Sequence, residues 1–464
     1  MSYPPGPKGL PIVGSLLSYK DHRTSLQWTK EFGPFYCTWM GLQEMAYFNS
    51  IELVEGYMEG EVGELMLGRP EGPLPIGQGL LFGSGENWEK NRIRVREALE
   101  HPRFKSKLEE VIHHELGIAL QKLDAQLTPD PMRLGDVFLE PCVYVVAGVL
   151  LGDPVPLDSE DRRVLLSIAQ DMFQCNFRSF MTQFSLKCPM TAKLVSTVLF
   201  TELVDLQKTI STLRALIRKW VKAIRQRATA KDSPATKLDE ASAIYSMLKD
   251  VGFHESTEEN EAELVMTMND MFFAGTTTVQ SAFEFTLMYL SKYTQHQQRA
   301  REEVDRVAGS GPLSWAMKER MPFVWACVLE GLRLATLTPS TIPHVLTQEV
   351  KVNEYTLRKG TYGIGSMCSL HRDERFFPSP EVFYPERHLD GQNIRDVPSY
   401  RPYGIGRRKC IGWDMADVEL FLYTASVLRR YVITSADDTP PQDMEVKSLI
   451  CCHLKDFRCF VEKR

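Results

Sequence analysis

The sequence predicts a mainly α fold with a minor β lobe, and three observations lead to it. Apolar residues recur at helical spacing over most of the 464 residues. Two-residue alternation is confined to short runs near the start, after residue 342 and at the end. No internal repeat or low-complexity tract divides the chain, so residues 1–464 read as one interlocked domain.

Residues 3–11 form a proline-rich hinge. Phe35–Trp39 and Met45–Phe48 flank Gly41 as two strands of a hairpin. The Gly/Pro-rich stretch Gly68 to Gly85 is a long loop, and helical spacing begins at Glu86 and runs to about His101. Further helices extend to about Arg227, and the polar stretch Ala230 to Leu238 is a connector. From Thr257 to Tyr293 an unusually long helical pattern carries Gly275 and a row of threonines at its middle, where helices normally avoid both. Two shorter helices lead to Leu334, and Ile342 to Gly365 reads as short strands. Turn chemistry dominates from Arg372 to Gly406, Trp413 to Arg429 is a long helix, and Val446 to Val461 is a short-stranded tail. Cys451, Cys452 and His453 fill one of its strands.

Hydrophobic residues make up 43% and charged residues 25%, the mixture of a globular protein with a large core. A net charge of −6 without a long basic tract excludes nucleic acid as the main partner. Ten cysteines without a CxxC pair fit reduced thiols better than a disulfide scaffold or a zinc site. No stretch reads as long and apolar enough to span a membrane.

Cys410 stands apart from the other cysteines. Gly404, Gly406 and Gly412 bracket it, so the backbone can lie flush against something flat, and Arg407, Arg408 and Lys409 add positive charge. At a helix N-terminus beside cations, its thiol is expected to have a depressed pKa. A thiolate presented this way to a planar surface suits a haem iron.

Tyr403, Gly406, Arg408, Cys410 and Gly412 together resemble the haem-binding signature of the cytochrome P450 superfamily, with Tyr403 where Phe is usual. Other motifs follow the same resemblance in order. Glu330 and Arg333, three apart on one helix, are an ordinary surface pair if taken alone. The resemblance pairs them with Arg387 of Pro385–His388, locking the cysteine loop, although His388 replaces the usual Phe. Trp88 and Arg92, and with them His344 and Arg408, are expected to hold haem propionates, for which guanidinium geometry is well matched. Ala274 and Gly275 bring the long helix over the haem plane, and Thr278 aligns with the oxygen-activating threonine. There the chain departs from the family: the usual acid position is Thr277, so proton delivery would run through Thr277, Thr278 and water.

The resemblance implies a cytochrome P450 fold, haem b with Cys410 as the metal ligand, and monooxygenation of a hydrophobic small molecule such as a steroid, lipid, terpenoid or xenobiotic. NADPH would act indirectly, through cytochrome P450 reductase docking on the basic surface around Lys90, Arg94, Arg407 and Lys409, with cytochrome b5 as a second donor. Cavity walls are expected from Leu80 to Phe82, Met172 to Phe184, Phe272 to Thr277, Leu337 to Pro343 and Leu449 to Cys452, with Thr338, Ser340 and Thr341 as polar contacts. The apolar run Leu194 to Phe200 is a candidate membrane contact. In the microsomal branch, on the cytosolic face of the endoplasmic reticulum, a membrane anchor precedes the proline hinge; the abrupt start here favours a trimmed form over a naturally soluble one. The alternatives are a haem-thiolate isomerase or dehydratase acting on a peroxide without external electrons, motivated by Thr277, and a non-catalytic haem sensor.

Overall fold

The computed structural model describes residues 3–70, 79–172, 201–229, 242–251, 257–439, 445–448 and 451–464. Its helices are α1 (His22–Phe32), α2 (Ile51–Met58), α3 (Gly60–Glu64), α4 (Gly85–Glu100), α5 (Pro102–Gln126), α6 (Leu134–Leu151), α7 (Glu160–Met172), α8 (Thr201–Thr229), α9 (Ala243–Val251), α10 (Glu258–Gly275), α11 (Thr277–Lys292), α12 (Thr294–Ala308), α13 (Pro322–Ala335), α14 (Met367–Leu370) and α15 (Trp413–Arg430). The strands are β1 (Phe35–Met40), β2 (Gln43–Phe48), β3 (His344–Val345), β4 (Val350–Val352), β5 (Tyr355–Leu357), β6 (Tyr362–Gly365), β7 (Leu389–Asp390), β8 (Asn393–Ile394), β9 (Tyr431–Ser435), β10 (Glu445–Ser448), β11 (Cys451–Leu454) and β12 (Cys459–Lys463).

Local chemistry sets the helix ends. Thr257 caps α10 by accepting the Asn260 N–H at 3.2 Å, and three glutamates in the first turn complement the helix dipole. Pro322 opens α13 where its missing N–H costs nothing, and α6 ends on Gly152, whose φ of 81° is left-handed. The largest departure from the sequence expectation is the long helix, which is two helices. The chain breaks at Thr276, where ψ falls to −73°. Beside the break, Thr278 Oγ1 donates to the Ala274 carbonyl at 2.6 Å, a local bond that competes with the helix ladder.

α6 runs through the core, packed on α5 and α11. Contrary to the sequence expectation, Leu134–Leu151 is long and apolar enough to cross a membrane, but 78% of it is buried inside the protein. It carries a core face all round rather than a stripe, as a central helix should. Phe138 of α6 meets Phe283 of α11 at 4.7 Å edge to face, and Tyr423 of α15 closes on Phe283 at 5.6 Å.

The main sheet has the order β1-β2-β6-β3. β1 and β2 form the expected hairpin, β6 adds parallel to β2, and β3 pairs antiparallel with β6 through His344 and Gly363. That pairing carries His344 from the lobe of strands to the edge of the helical one. The expected connector Ala230 to Leu238, the run Leu194 to Phe200 and cavity-wall residues 173–184 lie outside the described residues.

Candidate functional site

A cavity of about 340 Å³ lies between the α10–α11 break and the loop that carries Cys410. Ala274, Gly275, Thr277 and Thr278 line one side, and Tyr403, Arg408, Cys410 and Gly412 line the other. Arg92 and His344 close one edge. Of the expected walls, Leu80, Leu81, Phe273, the stretch from Leu337 to Pro343 and Cys451 contribute, with Thr338, Ser340 and Thr341 among them. The lining is therefore mostly apolar, with polar groups gathered at the rim and at the break.

The cysteine loop is held by its own backbone. Cys410 N–H donates to the Tyr403 carbonyl at 2.9 Å, and Gly404 and Gly406 turn the chain with φ of 75° and 65°. A Cβ at Gly406 would come within 2.4 Å of the Met58 carbonyl, so only glycine fits there. The Tyr403 hydroxyl, extra relative to the usual Phe, donates to Asp417 at 2.5 Å.

One expectation about Cys410 is corrected. Cys410 is exposed where it lines the cavity, yet desolvation by the surrounding loop pushes its thiol above the usual range, against the Gly412 N–H and Arg92. The neighbouring cations are engaged elsewhere: Arg407 with Glu64 and Glu89, Arg408 with the Leu67 and Gly83 carbonyls, Lys409 over the Trp413 ring. Adjacency in sequence did not bring their charge to the sulfur. The same pairing weakens the expected basic surface, since Lys90 also meets Glu86 at 2.7 Å.

Beneath the loop, Glu330 gathers donors from four residues, the Tyr384 N–H at 3.0 Å among them. Arg333 gives it two bonds at 2.8 and 2.9 Å, Arg387 one at 3.0 Å and His388 Nε2 one at 2.9 Å. Glu330 and Arg333 are fully buried, so this is no surface pair. Burial opposes the charge, but Arg333 and His388 hold the carboxyl down at about 2. Arg333 Nη1 continues to the His371 carbonyl at 2.7 Å, and His371 Nε2 accepts the Arg401 N–H at 3.1 Å, two residues before Tyr403. His388 thus adds a bond that the usual Phe cannot make.

The opposite edge of the cavity is built differently. Arg408 sits with its guanidinium 3.6 Å over the Trp88 ring, and its Nε and Nη1 are buried without a hydrogen-bond partner among the described residues. Trp88 itself does not line the cavity: its indole N–H donates to the Leu80 carbonyl at 3.2 Å. It serves as a platform for Arg408 rather than as a wall. His344 Nδ1 donates to the Met66 carbonyl at 2.8 Å, and burial holds the ring neutral.

Sequence reasoning missed Arg69 and Asp270. Arg69 is buried in the loop before α4, donates to the carbonyls of Leu81, Ile342 and Pro343, and lines the cavity. Burial lowers its pKa to about 9 and, with Arg69 and Arg92 nearby, that of Arg408 to about 8. Among the described residues, no carboxylate pairs with Arg69, Arg92 or Arg408. Asp270, two turns before Thr277, accepts the Leu81 N–H at 3.0 Å, and burial raises it to about 7. A lone carboxylate in an apolar helical run was the available signal. Gly275 also departs in part from its expected role: a Cβ there would first meet Val146 Cγ2 at 3.0 Å, so its smallness lets α10 pack on α6 as well as border the cavity.

The family profile described as Cytochrome P450 matches residues 4–459. The chain belongs to the cytochrome P450 family. It is 29% identical to Cytochrome P450 2C23 of Rattus norvegicus over 96% of this chain and 90% of that protein. It is 27% identical to Farnesoate epoxidase of Bombyx mori over 100% of this chain and 94% of that one, and 28% identical to Cytochrome P450 2C8 of Homo sapiens over 94% and 89%. This P450 is therefore an oxidoreductase of the haem-thiolate monooxygenase class, with haem b as cofactor and NADPH as the indirect electron source. The residues present fit that group: a cysteine faces a mostly apolar cavity, and buried guanidinium N–H groups without partners stand where acidic substituents would satisfy them.

Proposed function

We propose that Cys410 would hold the haem iron through its sulfur, and that the protein oxygenates a hydrophobic small molecule held against the α10–α11 break. The observation that carries this reading is the placement of Cys410 and Thr278 in one mostly apolar cavity whose edge bears Arg408. Arg92, Arg408 and His344, together with Arg69, would hold the propionates, and Trp88 would keep Arg408 in place. Ala274, Gly275 and Gly412 offer little bulk beside the ring. When bound, thiolate-ligated haem supplies activation of dioxygen and transfer of one oxygen atom to a C–H or C=C bond.

The chain's own residues orient substrate and manage protons. Thr278 is fixed by its bond to the Ala274 carbonyl, so its hydroxyl oxygen remains free to accept from water or substrate. Thr277 presents a second hydroxyl to the same cavity. Lining by Leu80, Phe273, Ile342 and Ile364 supports an apolar substrate, and one relative is named for epoxidising farnesoate. Residues 1–464 would act as one domain, since one core cluster draws on residues from Trp28 to Val461.

Electrons would come from an external diflavin reductase docking near the cysteine loop. With Arg407 and Lys90 carrying carboxylate partners, Lys409 would contribute most of the charge attraction. The native protein would work at the cytosolic face of the endoplasmic reticulum membrane, as in the microsomal branch that the sequence resembles. The test is the ferrous carbon monoxide difference spectrum. Wild-type protein is expected to give the far red-shifted thiolate band, and Cys410→His is expected to lose it while still binding haem; an unchanged band would sink the ligand assignment. A spin-state screen of steroids, fatty acids, terpenoids and drug-like compounds then identifies the substrate class.

A further inference from the structure

Behind the cavity, at the start of α6, a buried carboxyl stands that the proposed chemistry has not used. Glu284 of α11 is 4% exposed, and its Oε2 accepts from Gln280 Nε2 at 3.3 Å. Gln280, one turn nearer the break, also reaches the Gly135 carbonyl at 3.4 Å. α6 makes room for both: a Cβ on Gly135 would lie 2.4 Å from Glu284 Oε1 and 2.8 Å from Gln280 Nε2. A further turn on is Thr276, fully buried at the break, whose Oγ1 has no hydrogen-bond partner among the described residues. Thr276, Gln280 and Glu284 fall at i, i+4 and i+8, one stripe of the helix. Buried hydroxyls of this kind recruit internal water.

The outer end of the stripe faces the surface. Arg133 lies 3.8 Å from Asp136 and 3.9 Å from Asp456; the two aspartates are exposed and Arg133 is half-buried. The charged and titratable groups that face Glu284 are Arg133, Asp136 and Cys459, with Gln280 from its own helix. Burial raises the Glu284 carboxyl to about 7, with Asp136 adding and Arg133 and Gln280 opposing. A carboxyl poised near neutral both gives and regains a proton readily. Asp270 lies nearer the cavity, but its Oδ2 is engaged by the Leu81 N–H and holds that loop.

We propose that Glu284 is the proton-supplying residue of this P450, standing in for the carboxyl that Thr277 lacks, with Gln280 and Thr276 orienting the water that carries the proton to Thr277 and Thr278. The proposal rests on the oxygenase reading above. Only O–H bonds change: Glu284 gives a proton to a chain of waters that passes Gln280 and ends at Thr276, each water passing one proton on, and takes one back from solvent past Arg133 and Asp136. No electrons move in the relay. Glu284 acts through other groups and is thus a positioning residue for the proton, not one that touches substrate.

The test uses the haem-loaded protein with NADPH and reductase, measuring the share of consumed dioxygen released as hydrogen peroxide and the solvent deuterium isotope effect. Glu284→Gln keeps the shape and removes the proton; it is expected to raise the peroxide share several-fold and enlarge the isotope effect, with the carbon monoxide band unchanged. Thr277→Glu in the Glu284→Gln background is expected to restore the wild-type share, a rescue that a merely structural role would not allow. Infrared titration gives a readout without turnover: a buried carboxyl band that disappears around neutral pH in the wild type and is missing in Glu284→Gln. Should Glu284→Gln not fold, Glu284→Asp takes its place, with a shifted band and an intermediate share expected. An unchanged share and isotope effect, or a rise that Thr277→Glu does not reverse, overturns the relay. Wild-type protein that shows the thiolate band but consumes no dioxygen with reductant overturns the oxygenase reading, and the relay with it.

Discussion

Two groups of arginines stand around the cysteine loop, and they are built on opposite plans. Arg333 and Arg387 reach Glu330 at 2.8 and 3.0 Å, with His388 completing the set. Arg69, Arg92 and Arg408 crowd together with only carbonyls and the Trp88 ring for company among the described residues. The first group satisfies itself, so it needs nothing from outside and holds the cysteine loop whether or not a ligand is bound. The second is incomplete: burial and mutual repulsion depress the Arg408 pKa, and an anion is what would relieve both. A complete buried ion network supports architecture; an incomplete one is what the proposed propionate site requires.

The sharpest way to break the comparison is to remove the anion from the complete group. Glu330→Gln leaves fully buried Arg333 without its counter-charge and is expected to cost about 3–5 kcal/mol in urea unfolding. If it cost no more than a surface change, the network would not be the lock described here. Next in size is Arg408→Leu, which removes a half-buried cation that meets carbonyls but no carboxylate among the described residues. Fold stability of the haem-free protein should stay within about 1 kcal/mol of wild type or rise. Haem loss to an apoprotein acceptor should accelerate at least tenfold, so an unchanged loss rate would remove Arg408 from the site.

The smallest effect is expected at His388. Replacing it by the usual Phe removes one bond to Glu330, worth about 1–2 kcal/mol in a charged, buried setting. Burial lowers the His388 pKa below the usual value of 6.5 despite Glu330, so the folded state favours the neutral ring. Its contribution is then present above pH 6.5 and is lost as pH falls through the folded value. His388→Phe is therefore expected to flatten the acid side of the stability–pH curve; an identical slope in both proteins would show that His388 does not titrate on unfolding.

Much of this was legible in the sequence. Spacing placed the hairpin of β1 and β2, and the helices α4 and α15, within one or two residues. The cysteine loop and the Glu330–Arg333–Arg387 set were readable because each is a fixed pattern of residue types. What stayed hidden has a common physical form. Arg69 comes from a Gly/Pro-rich loop with no periodicity, and it becomes a cavity residue only because Leu81, Ile342 and Pro343 offer it carbonyls. The break at Thr276 was read as one continuous helix because periodicity survives a single-residue interruption. Trp88 is expected from the sequence to hold a propionate, because sequence cannot say that its indole N–H will find the Leu80 carbonyl instead.

By itself, the sequence determined the fold class, the glycine-bracketed loop that carries Cys410 and the absence of an acid at 277, since these follow from residue identity and local spacing. Tertiary structure alone decided which charges reach which partners. Arg407, Arg408 and Lys409 are consecutive, yet one pairs with glutamates from α3 and α4, one stacks on Trp88 and one lies over Trp413. Side-chain electrostatics depend on distance and burial in three dimensions, and neither is written in the order of residues. For the same reason the Cys410 thiol, expected to be acidic beside three cations, has its pKa raised.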